Sequence, residues 1–300
     1  MTIRLVTDST AYLPDDLTRQ HGIEVVPLHV VVGGRDRIEG RDITPDEVAA
    51  ALREYTIVTT SRPTPQAFAE VYTRLAGEGA TGIVSVHLSG QMSGTVEAAR
   101  LAATESPVPV EVIDSETIGM AMGFAVIAGA EASAAGTPGA GDVAGGSIGA
   151  VTAAVRERIA PSSVLFYVHT LEHLRRGGRI GAAAALLGSA LAIKPILTVR
   201  GGRIVPVEKV RTSARAIARI ETMVAEGLRS GGVAADVAVH HLDAGDRGPR
   251  MAERLQALPD VREVRLVELG AVVGAHVGPG TVAIAVSPRP NEPAAPAGPL

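Results

Sequence analysis

The feature that most restricts the fold is an alternation in the first half of the chain. Short apolar runs at residues 3–6, 23–32, 57–60, 82–88 and 110–113 are separated by stretches with helical start signals. Pro14-Asp15-Asp16 opens one stretch, Thr44-Pro45-Asp46-Glu47 opens another with Thr44 as N-cap, Thr64-Pro65 opens a third, and a fourth begins near Ser93. Strand-length runs joined through helices form a parallel sheet covered on both faces. The run at 23–32 ends at Gly33-Gly34, which predicts a hairpin there.

A small-residue stretch, Ala135-Gly136-Thr137-Pro138-Gly139-Ala140-Gly141, marks a domain boundary. Beyond it the pattern predicts a helix over 147–158 and a strand over 164–168. Runs at 196–199 and 204–207 flank Arg200-Gly201-Gly202-Arg203, a hairpin signal, so the second sheet has an antiparallel part. A helix over 213–226, a strand over 236–240, a helix over 249–258 and strands over 264–267 and 282–286 complete it. The expectation is an α/β chain of two domains. Residues 1–145 form a Rossmann-like parallel-sheet domain, residues 146–287 an α/β domain with a mixed sheet, and 288–300 a Pro- and Ala-rich disordered tail.

Composition removes several function classes. There is no Cys, so disulfides, thiolate chemistry and Cys-based zinc sites are excluded. Trp is absent, with three Phe and four Tyr, and the net charge is -4. Single-stranded nucleic acid needs aromatic platforms and clustered cations, so it is not an expected partner. The first residues fit no signal peptide, and no apolar run approaches the roughly 20 residues of a membrane span. A cytoplasmic location is expected.

The strand ends of the first half are rich in hydroxyls: Thr7-Asp8-Ser9-Thr10, Thr59-Thr60-Ser61, Ser89-Gly90 and Asp114-Ser115. In an open parallel sheet these turns share one edge, where ligands bind. Ser89-Gly90-Gln91-Met92-Ser93-Gly94-Thr95 is the richest. Its glycines permit close approach, and the helix that follows points free N–H groups at an anion. Each hydroxyl taken singly is also an ordinary N-cap. His276-Val277-Gly278-Pro279-Gly280 is a second polar cluster, read either as a donor to an anion or as a turn histidine facing water.

Three motifs imitate enzyme sites. Gly145-Gly146-Ser147-Ile148-Gly149 resembles a nucleophile elbow but lacks the strand that must precede it. His169-Thr170-Leu171-Glu172-His173 matches a zinc pattern, yet His169 falls at a strand end and no third ligand follows. His240-His241-Leu242-Asp243 reads as a polar strand terminus. No phosphate-binding loop or dinucleotide fingerprint is present. No metal and no cofactor are expected.

Taken together, Val6-Thr7-Asp8-Ser9, Thr60-Ser61-Arg62-Pro63, Ser89-Gly90-Gln91-Met92-Ser93-Gly94-Thr95, Val112-Ile113-Asp114-Ser115, Gly177-Gly178-Arg179-Ile180, Lys194-Pro195-Ile196 and the His276 cluster resemble the DegV family over residues 3–286. That family includes the fatty-acid-binding subunits of bacterial fatty acid kinases. The resemblance implies a binding subunit without turnover of its own. A long-chain fatty acid such as palmitate would lie buried in the second domain, its carboxylate at the inter-domain cleft. Thr60 and Ser93 would bond the carboxylate, His276 would lie beside it, and Ser61, Gly94 and Thr95 would support them. A separate ATP-dependent kinase would convert the acid to an acyl phosphate, meeting a surface that includes Arg175, Arg176 and Arg179. The alanine-rich run at 180–193 reads as a buried helix that either leaves room for an acyl chain or packs closely. The chain departs from the family pattern at Arg62, where Gln is common, at Val96, where Tyr is common, and at His169 and His173. Two other readings stand beside the carrier: a serine esterase using Ser93 with His276 as base, and a carrier of another apolar anion.

Overall fold

The structure, a computed structural model, describes residues 2–136, 146–187 and 193–293. In chain order the first part contains β1 (Ile3–Asp8), α1 (Asp15–His21), β2 (Glu24–Val26), β3 (His29–Val32), β4 (Arg35–Ile38), α2 (Pro45–Arg53), β5 (Val58–Ser61), α3 (Pro65–Gly77), β6 (Gly82–His87), α4 (Thr95–Ala103), β7 (Val110–Asp114) and α5 (Met120–Ala135). The second part contains α6 (Ile148–Ile159), β8 (Ser163–Tyr167), α7 (Glu172–Arg176), β9 (Lys194–Arg200), β10 (Arg203–Val210), α8 (Ser213–Gly231), β11 (Val233–Leu242), α9 (Arg247–Gln256), β12 (Val261–Glu268), α10 (Ala271–Val277) and β13 (Thr281–Pro293).

The first sheet is parallel, in the order β2-β1-β6-β7. Every residue of β6 is buried, as a strand covered on both faces requires. On one face lie Phe68, Tyr72 and Leu75 of α3 with Ala98, Ala99 and Ala102 of α4. On the other lie Met122, Ala125 and Val126 of α5 with Val151 and Val155 of α6. The second sheet has the order β10-β9-β8-β13-β11-β12. Only β11 and β12 pair in parallel; the other neighbours are antiparallel, including the β9–β10 hairpin. α8 and α9 cover one face through Ala216, Ile220, Val224, Met251 and Leu255.

α5 binds the two sheets together. Met122, Ala125 and Val126 belong to the first core, and Met120, Ala121 and Phe124 to the second. A helix that is apolar all round is a buried helix, and Glu131 is the sole charged residue of α5.

Four expectations are corrected here. The apolar run at 23–32 is not one strand. It breaks at Pro27-Leu28, because Pro27 has no N–H for a ladder and the Leu28 N–H goes to Ser9 Oγ at 3.0 Å. β2 joins the parallel sheet, while β3 enters a separate antiparallel sheet ordered β4-β3-β5. The hydroxyl cluster Thr59-Thr60-Ser61 therefore does not sit on the edge of the parallel sheet. It comes from β5, and only the β1, β6 and β7 ends share that edge. The alanine-rich run is not a buried helix: Gly181–Leu186 is a 3-10 helix with only Ala183 and Leu186 buried. Residues 188–192 of that run lie outside the described residues, as does the expected boundary at 145. β13 continues to Pro293, past the start of the expected tail at 288. No helix among the described residues is long and apolar enough to cross a membrane.

Candidate ligand-binding site

The site is built on the turn after β6. Asp8, the last residue of β1, accepts from Thr10 N at 3.0 Å through Oδ1. Its Oδ2 accepts from Leu88 N at 3.0 Å and from His87 Nδ1 at 3.0 Å. His87 Nε2 meets Ser85 Oγ at 2.7 Å, and Tyr72 OH donates to Ser85 Oγ at 2.8 Å. The chain is fully buried. It has the Asp–His–Ser order of a hydrolase triad with no route for a substrate, and it pins the ends of β1 and β6 together. Burial raises the Tyr72 phenol to about 12, against the opposing bond to Ser85.

From this base the turn runs into α4. Gly90 N donates to Asp114 Oδ1 at 3.1 Å, and Ser89 Oγ donates to Gly202 O at 2.8 Å, tying the turn to the tip of the β9–β10 hairpin. Arg203 and Gln91 reinforce that junction, with Nη2 to Oε1 at 2.6 Å. Ser93 Oγ bonds Thr95 Oγ1 at 2.9 Å. The N-cap of α4 is Gly94, with no side-chain cap, so the first amides of the helix are free to meet a ligand.

The facing elements are β5 and α10. Thr60 Oγ1 lies 2.8 Å from His276 Nε2. His276 sits in the last turn of α10, half-buried rather than facing water. Burial chiefly, and the Arg179 charge second, lower its pKa to about 4. At pH 7 it is neutral and has one ring proton. On Nε2 that proton is donated to Thr60 Oγ1, leaving the threonine hydrogen to donate outward. On Nδ1 it would be a buried N–H without an acceptor, since Nδ1 has no partner. An anion beside Thr60 selects the first form. Gly177 makes the position possible, because a Cβ there would lie 2.1 Å from His276 Nδ1. Gly278, at φ +76°, packs against His173 in the same way.

The other end of α10 is held from far away in sequence. Its N-cap, Gly270, has no side chain, so Glu39 Oε1 accepts from Val272 N at 2.8 Å and Tyr12 OH accepts from Val273 N at 3.2 Å. Ser9 Oγ also donates to Glu39. Burial raises the Glu39 carboxyl to about 7, against these bonds. His240, inside β11 rather than at its end, is buried with its pKa lowered by burial to about 4; its Nε2 accepts the first amide of α5 from Met120.

These elements enclose a cavity between the two sheets. Its volume is about 110 Å³ open to the centre of a water molecule, where one water needs roughly 10–15 Å³. The second half supplies an apolar wall that includes Val164 and Phe166 of β8, Leu174 of α7, Val199 of β9, Ile204 of β10 and Val277 of α10. The polar lining groups include Thr60, Ser61, Arg62, Ser93, Arg179 and His276. Thr60, Ser61, Ser93 and His276 are thus brought together from three distant segments. Gly94 and Thr95 stand behind Ser93. Arg175 and Arg176 are exposed and paired with Glu172, whereas Arg179 lines the cavity and donates to Met92 O at 2.9 Å. Sequence reasoning missed Tyr12 and Glu39, neither of which stands in a recognisable motif, and read His240 only as part of a polar strand terminus. Among the described residues no His, Asp and Glu group could hold a metal ion. Ser147, of the elbow-like motif, caps α6 by accepting from Ala150 N at 3.2 Å.

With this geometry in view, the likenesses to known proteins agree closely. The profile of a family described as "Uncharacterised protein, DegV family" matches residues 2–289. A DegV domain-containing protein of Streptomyces coelicolor is 51% identical, over 96% of this chain and 99% of its own. A Thermus thermophilus DegV family protein, described by its fatty acid binding, is 37% identical with a TM-score of 0.87, covering 96% of this chain and all (100%) of its own. Bacillus subtilis DegV, described as a fatty acid binding protein, is 32% identical with a TM-score of 0.86 and the same coverage of 96% and 100%. The chain belongs to the DegV family.

Proposed function

We propose that this protein is a carrier that holds one long-chain fatty acid in the cavity between its sheets and presents the carboxylate at the rim to a partner kinase. The observation that carries this reading is the polarity gradient of the cavity. An apolar wall ends at two hydroxyls from opposite sides, Thr60 and Ser93, beside an uncapped helix N-terminus. The tail is driven in by burial of apolar surface, roughly 0.8 kcal/mol per CH₂. The carboxylate takes a hydrogen bond on each oxygen, and the His276-to-Thr60 bond orients one of the donors. A kinase would then join a carboxylate oxygen to the γ-phosphorus of ATP with ADP as leaving group. Arg175 and Arg176, exposed on α7 near the rim, belong to the surface that such a partner would meet.

A serine esterase fits less well. Ser93 Oγ bonds Thr95 rather than His276, and His276 Nδ1 has no orienting partner. Both hydrogen bonds of a Ser–His relay are therefore missing. Native mass spectrometry of the purified protein, followed by lipid extraction, tests the carrier reading. One long-chain fatty acid per chain is the expected result. A protein that stays empty after incubation with fatty acids refutes it.

A further inference from the structure

We propose that this protein forms a symmetric dimer through β7, an edge strand of its first sheet, so that the four-stranded sheets of two copies join into one. The occupant of this edge is a second copy of the same chain, and the inference does not depend on the carrier reading.

An edge strand presents unpaired N–H and C=O groups, and proteins guard such edges with short strands, proline, bulges or covering groups. The other sheet edges of this molecule are guarded. β2, β4 and β5 run for only three or four residues. β10 contains Pro206 and a register shift between Pro206 and Glu208. On β12, Gln256 Oε1 accepts from Val264 N at 3.0 Å. β7 has none of these devices, and it borders an open groove between Arg100 of α4 and Arg156 and Ile159 of α6. Its ladder to β6 is phased by Ile83 N, which donates to Pro109 O at 2.9 Å, and by Ser115 N, which donates to His87 O at 3.0 Å. The backbone groups of odd-numbered residues therefore face β6, and those of Val110, Val112 and Asp114 turn outward. Among the described residues these outward groups have no partner.

One antiparallel register pairs every outward group. It sets Val112 against Val112 of the second copy, and Val110 against Asp114, around a two-fold axis. A slip of one residue opposes outward groups to inward ones, and no ladder forms. A slip of two residues in one direction sets Glu111 against Glu111, a like-charge pair. In the other direction it sets Val110 against Glu116, which lies beyond the end of β7 with a φ of 50°. The charges suit a second copy rather than a strongly charged partner. Glu111 pairs with Arg156 at 3.0 Å, and the axis brings two such pairs together as four charges that sum to zero. Asp114 is already committed within its own chain, to Gly90 N and Glu116 N. The two Val112 side chains meet on the α4 side of the joined sheet.

Sedimentation equilibrium of the full-length protein, from micromolar to millimolar concentration, tests this directly. The wild type is expected to dimerise reversibly within that range. Val112→Pro removes an N–H that the monomer leaves unpaired, at a position where an edge strand tolerates proline. It deletes an interchain hydrogen bond from each copy and should weaken dimerisation about ten-fold or more. Arg156→Glu gathers four acidic groups at the axis and should weaken it too. Adding Glu111→Arg to Arg156→Glu restores opposite charges and should recover wild-type association. Melting temperatures confirm that the variants fold. A wild type that is monomeric throughout the range overturns the inference. A dimer unmoved by Val112→Pro overturns it equally, because such a dimer forms through another face. A double variant that associates no more tightly than Arg156→Glu alone overturns the register, and the inference with it.

Discussion

Two hydroxyl–imidazole pairs in this molecule differ in what surrounds them. Ser85 meets His87 at 2.7 Å and Thr60 meets His276 at 2.8 Å, in each case through Nε2. In the first pair the chain of donors and acceptors is complete, from Tyr72 through Ser85 and His87 to Asp8, and no part of it is exposed. In the second pair the far nitrogen has no partner and the hydroxyl faces a cavity. A closed network of this kind holds strands together. An open one retains a hydrogen-bonding group for something that arrives later.

The comparison breaks first, and hardest, at Asp8. Asp8→Ala would strip the acceptor from Leu88 N, Thr10 N and His87 Nδ1, all buried. We expect a loss of about 3–5 kcal/mol in unfolding free energy. Urea denaturation would show it as a lowered midpoint at constant slope. A loss below about 1 kcal/mol would mean that the closed network is not what fastens β1 to β6.

The open pair should behave in the opposite way. Thr60→Ala and Ser93→Ala each remove one hydrogen bond to a bound carboxylate, worth roughly 1.5–3 kcal/mol. Fatty acid titrations should show each variant binding ten-fold or more weakly. The unliganded stability of each should move by less than about 1 kcal/mol, because neither hydroxyl closes a network. Unchanged affinity in both variants would move the headgroup elsewhere.

Gly177→Ala sharpens the contrast from behind the imidazole. A methyl 2.1 Å from His276 Nδ1 must displace the ring. Thr60 then loses its orienting donor while keeping its own hydroxyl. Binding should weaken by less than in Thr60→Ala, by about 1 kcal/mol, on the scale of one neutral hydrogen bond. Equal affinity for wild type and variant would show that the bond from His276 to Thr60 is incidental.

The sequence made part of this legible. Ser93 precedes Gly94 in a turn, Thr60 lies three residues before Pro63 and His276 two before Gly278, and the three converge. The β9–β10 hairpin was readable because Gly201-Gly202 between two apolar runs admits few other structures. The strand at 23–32 was over-read, because apolar content continues across Pro27 although its missing N–H ends the ladder. The Thr60 cluster was placed on the wrong sheet for the same reason: once 23–32 is split, β3 is free to recruit β5. Glu39 was beyond reach. Its partner, Val272, lies 233 residues away, and neither residue carries a local signal. Such contacts are set by how the two sheets pack, which no short-range pattern encodes.

Glu39 also provides the smallest test, in which acid and base groups around α10 oppose each other. His276 and His240 have pKa values lowered to about 4 from 6.5. Between those values the unfolded chain binds their protons and the folded chain does not, so their contribution to stability is full above pH 6.5 and is lost as pH falls toward 4. Glu39 is raised to about 7 from 4.5. In its case the folded chain holds the proton, so its contribution is full below pH 4.5 and is lost as pH rises through 7. From pH 7 to pH 5 the two effects have opposite signs and partly cancel. Glu39→Gln keeps an acceptor for Val272 N but cannot titrate. Its stability should therefore fall more steeply than that of the wild type over the same interval, by on the order of 1 kcal/mol. His276→Asn should fall less steeply. Urea midpoints at pH 7, 6 and 5 measure all three slopes. Parallel slopes for wild type and Glu39→Gln would show that Glu39 is ionised throughout. The N-terminus of α10 would then be held by a full charge rather than by a carboxyl that shares its proton with the solvent near neutrality.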